Sequence, residues 1–314
     1  MSIKVENLTK FYDDLAAVDD ISFEVKEGEI VGFLGPNGAG KTTTMKMLTS
    51  YLPPSSGKVY INDIDVLKDS MSARKHIGYL PETNPLYQDM NVIDYLVYVA
   101  RLNSVPKEKI KDSVKKMVKT CGLEEVKGKN IGELSKGYKQ RVGLAQAMLH
   151  NPDIILLDEP TSGLDPNQII EIRKLIKELG KQKTLMLSTH ILQEVQATCD
   201  RVLIINNGKI VADGKPDELQ RQFEGQMSVK IGIKRDPKYN SEKIIREISS
   251  INNVQNTKLI SEDGNMWFVD VTASKGTDVR EEIFRKIVSL NAVLLEMHKE
   301  ETSLEDIFRK LTKN

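Results

Sequence analysis

The sequence predicts a chain in two parts, an α/β unit with a covered sheet and then a smaller α+β unit. Three observations predict it. The N-terminal two-thirds alternates short strand-like runs with helical periods. Its runs IVGFL (30–34) and IILLD (154–158) are continuously apolar, as strands covered on both faces are. Around 220–226 the polarity rises, and a new alternation begins that contains the turn signal EDGN (262–265).

Taken in order, strand-like runs fall at 21–25, 30–34, 58–61, 77–80, 154–158, 184–188 and 202–206. Helical periods fall at 41–51, 92–102, 107–120, 136–149, 166–179 and 191–199. Asn207-Gly208 marks a hairpin into 209–212. Beyond the polar stretch come a strand (228–233), a helix (241–250), two strands (254–260 and 266–272), a helix (278–290) and a strand (292–297). That order, βαββαβ, is the split ferredoxin-like arrangement, and a last helix (304–311) is appended.

At 314 residues, two domains of ordinary size are expected, each able to bury a core. Basic and acidic residues balance at 45 each, so no global field attracts nucleic acid, and no nucleic-acid partner is expected. Cys121 and Cys199 lack metal-ligand spacing and read as two lone buried thiols. Met1 to Leu8 does not look like a signal peptide, and no run has the apolar length a bilayer requires. A cytosolic protein is expected, reaching any membrane through a partner.

Gly35-Pro-Asn37-Gly38-Ala-Gly40-Lys41-Thr42 fits the pattern G-x-x-x-x-G-K-[ST], after a buried strand and before the helix TTTMKML. The glycines let N–H groups converge on phosphate oxygens, and the helix N-terminus adds partial positive charge. Lys41 would reach β/γ-phosphates, and the Thr42 hydroxyl would ligate Mg²⁺. Ile154–Asp158 is an apolar strand ending in Asp158-Glu159 before Pro160. Asp158 is placed to hold Mg²⁺ and Glu159 to activate a water; alone, the two acids could equally cap the next segment. The stretch LSKGYKQR (134–141) reads either as an anion-binding helix start or as an ordinary capped helix.

The order GPNGAGKTT, LSKGYKQR, ILLDEP, SGLD and STH resembles the nucleotide-binding subunits of ABC transporters, over about residues 3–219. The resemblance implies a P-loop NTPase core of the ABC ATPase type, with ATP and Mg²⁺ as ligands. It divides the chain into an ATP-binding domain (1–222), with a helical subdomain at about 84–150, and an accessory domain (226–314). It implies that Gly35, Asn37, Gly38, Gly40, Lys41, Thr42 and Thr43 bind nucleotide and that Glu159 and His190 act in hydrolysis. Tyr12 matches the aromatic that stacks on adenine, although an ordinary tyrosine is as good a reading. Asp165, in SGLD, belongs to the loop that joins two such subunits. Ser135 and Gly137 match contacts to the γ-phosphate of a second copy. Glu82 stands where most of these ATPases carry glutamine, and it is expected near Mg²⁺ with Thr42 and Asp158.

The implied partners are a second copy or a related ATPase subunit and an integral-membrane permease, at the inner face of the membrane. Leu86 and Tyr87 are expected to touch that permease. The phrases IGYLPETNPLY, STHILQEV, INNGKIVADG and SLEDIFRKLT look like the export-type branch, and especially the ATP-binding subunits of gliding-motility transporters. The competing reading is a soluble ABC ATPase acting on ribosomes or DNA.

Overall fold

Alternating and continuous apolar runs sort the strands of the first unit into two sheets. In chain order these strands are β1 (Ile3–Tyr12), β2 (Leu15–Val25), β3 (Ile30–Leu34), β4 (Ser56–Ile61) and β5 (Ile64–Asp65). They continue as β6 (Ile77–Leu80), β7 (Ile154–Asp158), β8 (Thr184–Thr189), β9 (Arg201–Asn206) and β10 (Lys209–Gly214). Buried and exposed residues alternate along β2 from Ile21 to Val25, so one face is covered. It joins an antiparallel sheet of order β2-β1-β4-β5. By contrast β3, β7 and β8 are buried at every position. They sit in a sheet of order β10-β9-β3-β8-β7-β6, parallel except for the edge strand β10.

The helices of this unit explain the continuous burial. They are α1 (Lys41–Leu48), α2 (Ser70–Lys75), α3 (Val92–Leu102), α4 (Lys107–Thr120), α5 (Lys136–Met148), α6 (Pro166–Gly180) and α7 (Leu192–Thr198). Ile155 and Leu157 of β7 share a core with residues of α3 to α6. Their neighbours Ile154 and Leu156 face the opposite way, into a core with Met45 and Leu48 of α1 and with the antiparallel sheet. Covered on both faces, β7 is apolar at every position before Asp158 at its end.

The structure is a computed structural model and describes residues 2–223, 227–236, 240–274, 277–300 and 304–312. Met1–Pro216 with Phe308–Asn314 forms one compact unit and Asp217–Ile307 the second. A helix α8 (Pro216–Phe223) spans the boundary, followed by β11 (Met227–Lys234), α9 (Ser241–Ser249), β12 (Val254–Asp263), β13 (Met266–Ala273), α10 (Arg280–Ser289), β14 (Leu294–Glu300) and α11 (Leu304–Thr312). The sheet of the second unit has the order β12-β13-β11-β14, antiparallel throughout, as a split βαβ pair demands. Ile231, Val269 and Val271 pack there against Ile244 and Ile283 of α9 and α10.

Several details depart from the sequence reading. The strand β1, the first half of β2, and α2 were not anticipated. Leu86 is buried in the core with α3 and α5 and so offers little surface to a partner, whereas Tyr87 is exposed. Cys121 is buried, and that burial pushes its thiol up to about 12. Cys199 is half-buried as a residue, but burial of its thiol still pushes that group strongly upward. Among the described residues no helix is long and apolar enough to cross a membrane.

Candidate functional site

The phosphate-binding pattern becomes a tight loop because three glycines stand where side chains have no room or no allowed conformation. A Cβ on Gly35 would lie 2.4 Å from the Ile205 carbonyl oxygen, and one on Gly40 would lie 2.4 Å from that of Ala17. Gly38 has space around it, but its φ of 81° disfavours any residue with a Cβ. The loop ends at α1, whose N-cap Gly40 offers no side-chain acceptor to the first-turn amides. Those amides are free to face an anion. Lys41 folds back over the loop and donates to the carbonyl oxygens of Gly35 (2.8 Å) and Pro36 (3.1 Å).

The paired acids at the end of β7 occupy different environments. Asp158 is fully buried; its Oδ1 accepts from the Ser188 hydroxyl, and its Oδ2 has no protein partner. Glu159 has a φ of 48°, a left-handed conformation that costs a residue with a side chain energy. Its amide is held by Ser188, to the carbonyl oxygen at 3.2 Å and the hydroxyl at 3.1 Å. Its carboxylate lies between two bases, Oε1 at 3.4 Å from Lys41 Nζ and Oε2 at 3.0 Å from His190 Nδ1. The Lys41 and Glu159 side chains are only 5% and 7% exposed. At that depth their attraction is screened far less than at the surface. Burial first, then the charges of Asp158 and Glu82, push the nearby Tyr79 phenol strongly upward.

These groups share one open cleft of about 330 Å³. Its walls include Asn37, Gly38, Gly40, Lys41, Thr42, Thr43, Glu82, Glu159 and His190. Ala17 and Ser162 also line it, and no sequence signal pointed to Ala17. Ser188 was likewise missed; a serine inside a buried strand carries no motif of its own. Gly35 and Asp158 lie beneath this surface, both buried.

Ser135, Gly137, Asp165 and Tyr12 are not brought to that cleft. Ser135 caps α5, accepting from the Tyr138 amide at 3.4 Å, and Asp165 caps α6, accepting from the Gln168 amide at 2.9 Å. The two helix starts meet: a Cβ on Gly137 would lie 2.7 Å from Gln168 Cδ. Ser135, Gly137 and Gln168 line a separate cleft of about 570 Å³ with Tyr138, Arg141 and Glu171. Arg141 pairs with Glu171 and lies 5.8 Å from the Tyr138 ring centre. Tyr12 ends β1 half-exposed, with the Lys10 ammonium 5.7 Å from its ring centre.

Residues 18–162 match the ABC transporter family. An uncharacterized ABC transporter ATP-binding protein of Methanocaldococcus jannaschii is 43% identical over 222 residues, 70% of this chain and 80% of its own. Another, of Bacillus subtilis, is 41% identical over 220 residues, 70% of this chain and 73% of its own. A solved dimeric ATP-binding cassette, in a post-hydrolysis state bound to ADP and Pi, is similar with a TM-score of 0.62 at 26% identity. That likeness covers 68% of this chain and 98% of the solved one. Identity at this level across most of both chains goes beyond a shared fold: the chain belongs to the ABC transporter family, as an ATP-binding and ATP-hydrolysing subunit.

Proposed function

We propose that the 330 Å³ cleft binds and hydrolyses ATP, and that a second copy completes it. The observation that carries this reading is the Glu159 carboxylate, held between Lys41 and His190 above free helix amides. An arriving γ-phosphate competes with Glu159 for Lys41, whose ammonium then neutralises phosphate oxygens. Released on that side, Glu159 orients a water and takes its proton as the water oxygen bonds to γ-phosphorus and the bond to the β-phosphate oxygen breaks. His190 keeps Glu159 in place through Nδ1 and offers Nε2 to a phosphate oxygen.

The oxygen donors near the cleft suit Mg²⁺, which favours carboxylates, hydroxyls and water. Asp158 Oδ2 is a buried acceptor without a protein partner, and the Thr42 and Glu82 side chains stand on the cleft wall. These three residues would hold the ion, which would supply positive charge to neutralise phosphate oxygens.

Ser135 and Gly137 lie on another cleft of the same chain, which supports their use on the nucleotide of a second copy or a related subunit. Asp165, next to the Ser135 helix start, would then lie in the contact between subunits, and Tyr12 would stack on adenine. A separate integral-membrane permease would place the chain on the cytoplasmic face of a membrane. The gliding-motility branch is the finer reading, supported by the phrases IGYLPETNPLY and SLEDIFRKLT. Transport is favoured over action on ribosomes or DNA by the balanced charge and by the short stretch between the phosphate loop and the Ser135 helix start, too few residues for a long coiled coil. Co-purification with an integral-membrane protein tests this, and stable association with ribosomes alone would overturn it.

Glu159→Gln is expected to keep ATP binding and slow hydrolysis by roughly 10²–10⁴, the usual worth of a positioned base. Near-normal turnover in single-turnover assays would mean that another group orients the water.

A further inference from the structure

Outside the cleft, one buried carboxylate joins the segments that carry Glu159 and His190. Glu194 lies in the first turn of α7 and is 2% exposed. A carboxylate in that position ordinarily serves the free amides of its own helix. Both oxygens of Glu194 turn elsewhere. Oε1 accepts from the Thr161 hydroxyl, and Oε2 accepts from the Thr189 hydroxyl at 2.6 Å. The two threonines are themselves 3% and 0% exposed.

The places of these threonines give the contacts their meaning. Thr161 follows Glu159 by two residues, and Thr189 directly precedes His190. Because His190 Nδ1 lies 3.0 Å from Glu159 Oε2, the path closes on itself. It runs from Glu159 through Thr161, Glu194, Thr189 and His190 back to Glu159. Glu159 holds its left-handed φ of 48° inside that ring. Such a conformation persists only where the surroundings over-determine it.

We propose that Glu194 is a positioning residue for ATP hydrolysis, bridging Thr161 to Thr189 and thereby fixing the Glu159 carboxylate against His190. It touches neither nucleotide nor attacking water. Thr161 also leads into Ser162–Asp165, so a movement of that loop is passed through Glu194 to His190. The inference rests on the roles proposed above for Glu159 and His190.

The test is steady-state ATP hydrolysis by the full chain carrying Glu194→Ala, Glu194→Gln, Thr161→Val or Thr189→Val. Glu194→Ala is expected to lower kcat about 10- to 100-fold, the scale of a displaced supporting contact. KM for ATP should stay within about twofold, because the phosphate loop is untouched. Glu194→Gln should regain most of the rate, since an amide accepts from one hydroxyl and donates to the other. In a Glu194→Ala background Thr161→Val should add nothing, because the ring is already open.

Unchanged kcat in the folded Glu194→Ala chain overturns the proposal, and so does a double variant whose losses simply multiply. A Gln variant no better than Ala overturns it as well. Should Glu194→Ala fail to fold, the two Val variants carry the test, and normal kcat in both overturns the proposal. Glu159→Gln and His190→Ala run alongside. Normal turnover in those two defeats the reading of the site, whereas slow turnover there with normal turnover in the others defeats this inference alone.

Discussion

At the scale of single residues, the burial of His150 gives the first unit a pH dependence. His150 donates from Nε2 to the Ile77 carbonyl oxygen at 3.0 Å, and its Nδ1 is buried without a partner. Burial, followed by the positive charge of Lys183, pushes its pKa below the ordinary 6.5, and the Ile77 bond offsets only part of that. With the folded value depressed, the unfolded chain binds the extra proton first as pH falls. Stability from this group is therefore complete above 6.5 and is lost progressively below it. His150→Gln should flatten the decline of unfolding free energy on acidification in that window, measured by urea unfolding at stepped pH. An unchanged slope would mean that other groups dominate. Motif residues such as Gly40, Lys41 and Glu159 were legible in the sequence because phosphate chemistry admits few residue types at fixed spacing. Glu194 was not, because an acid in a first helical turn reads as an ordinary complement to the helix dipole.

Among the elements, the close approach of β6 and α5 leaves no room for a single methyl group. A Cβ on Gly78 would lie 2.3 Å from the Ala147 carbonyl oxygen and 3.0 Å from Pro152 Cγ. Backbone cannot swing aside as a side-chain end can, so Gly78→Ala should destabilise the first unit by about 1–3 kcal/mol. Gly128→Ala, with nothing within 4 Å of the added carbon, is the control and should stay within about 0.5 kcal/mol. Equal denaturation midpoints for the two variants would contradict the packing described. The same contrast explains which elements the sequence disclosed. The strands β3, β7 and β8 announce themselves as unbroken apolar runs. In β1 the pattern is interrupted by Asn7, at a φ of 48°, and by register shifts against β2. The six residues of α2 are too few for a helical period to stand out.

On the scale of the whole molecule, one chain carries two separate clefts. Lys41, Glu159 and His190 line one cleft, and Ser135 and Gly137 line another. The proposed use of the Ser135 helix start on another copy was suggested only by family resemblance, because no spacing along a single chain points to it. In the proposed dimer, each ATP is held by the phosphate loop of one subunit and the Ser135 helix start of its partner. Lys41→Ala removes the first half, and Ser135→Ala removes the second at a capping cost of about 0.5–2 kcal/mol. A mixed dimer of the two variants has one site with both lesions and one with neither. The decisive measurement is therefore ATP hydrolysis by an equimolar mixture of the two inactive chains. Activity well above the sum of the separate variants is the expected result, and activity no greater than that sum would contradict the account.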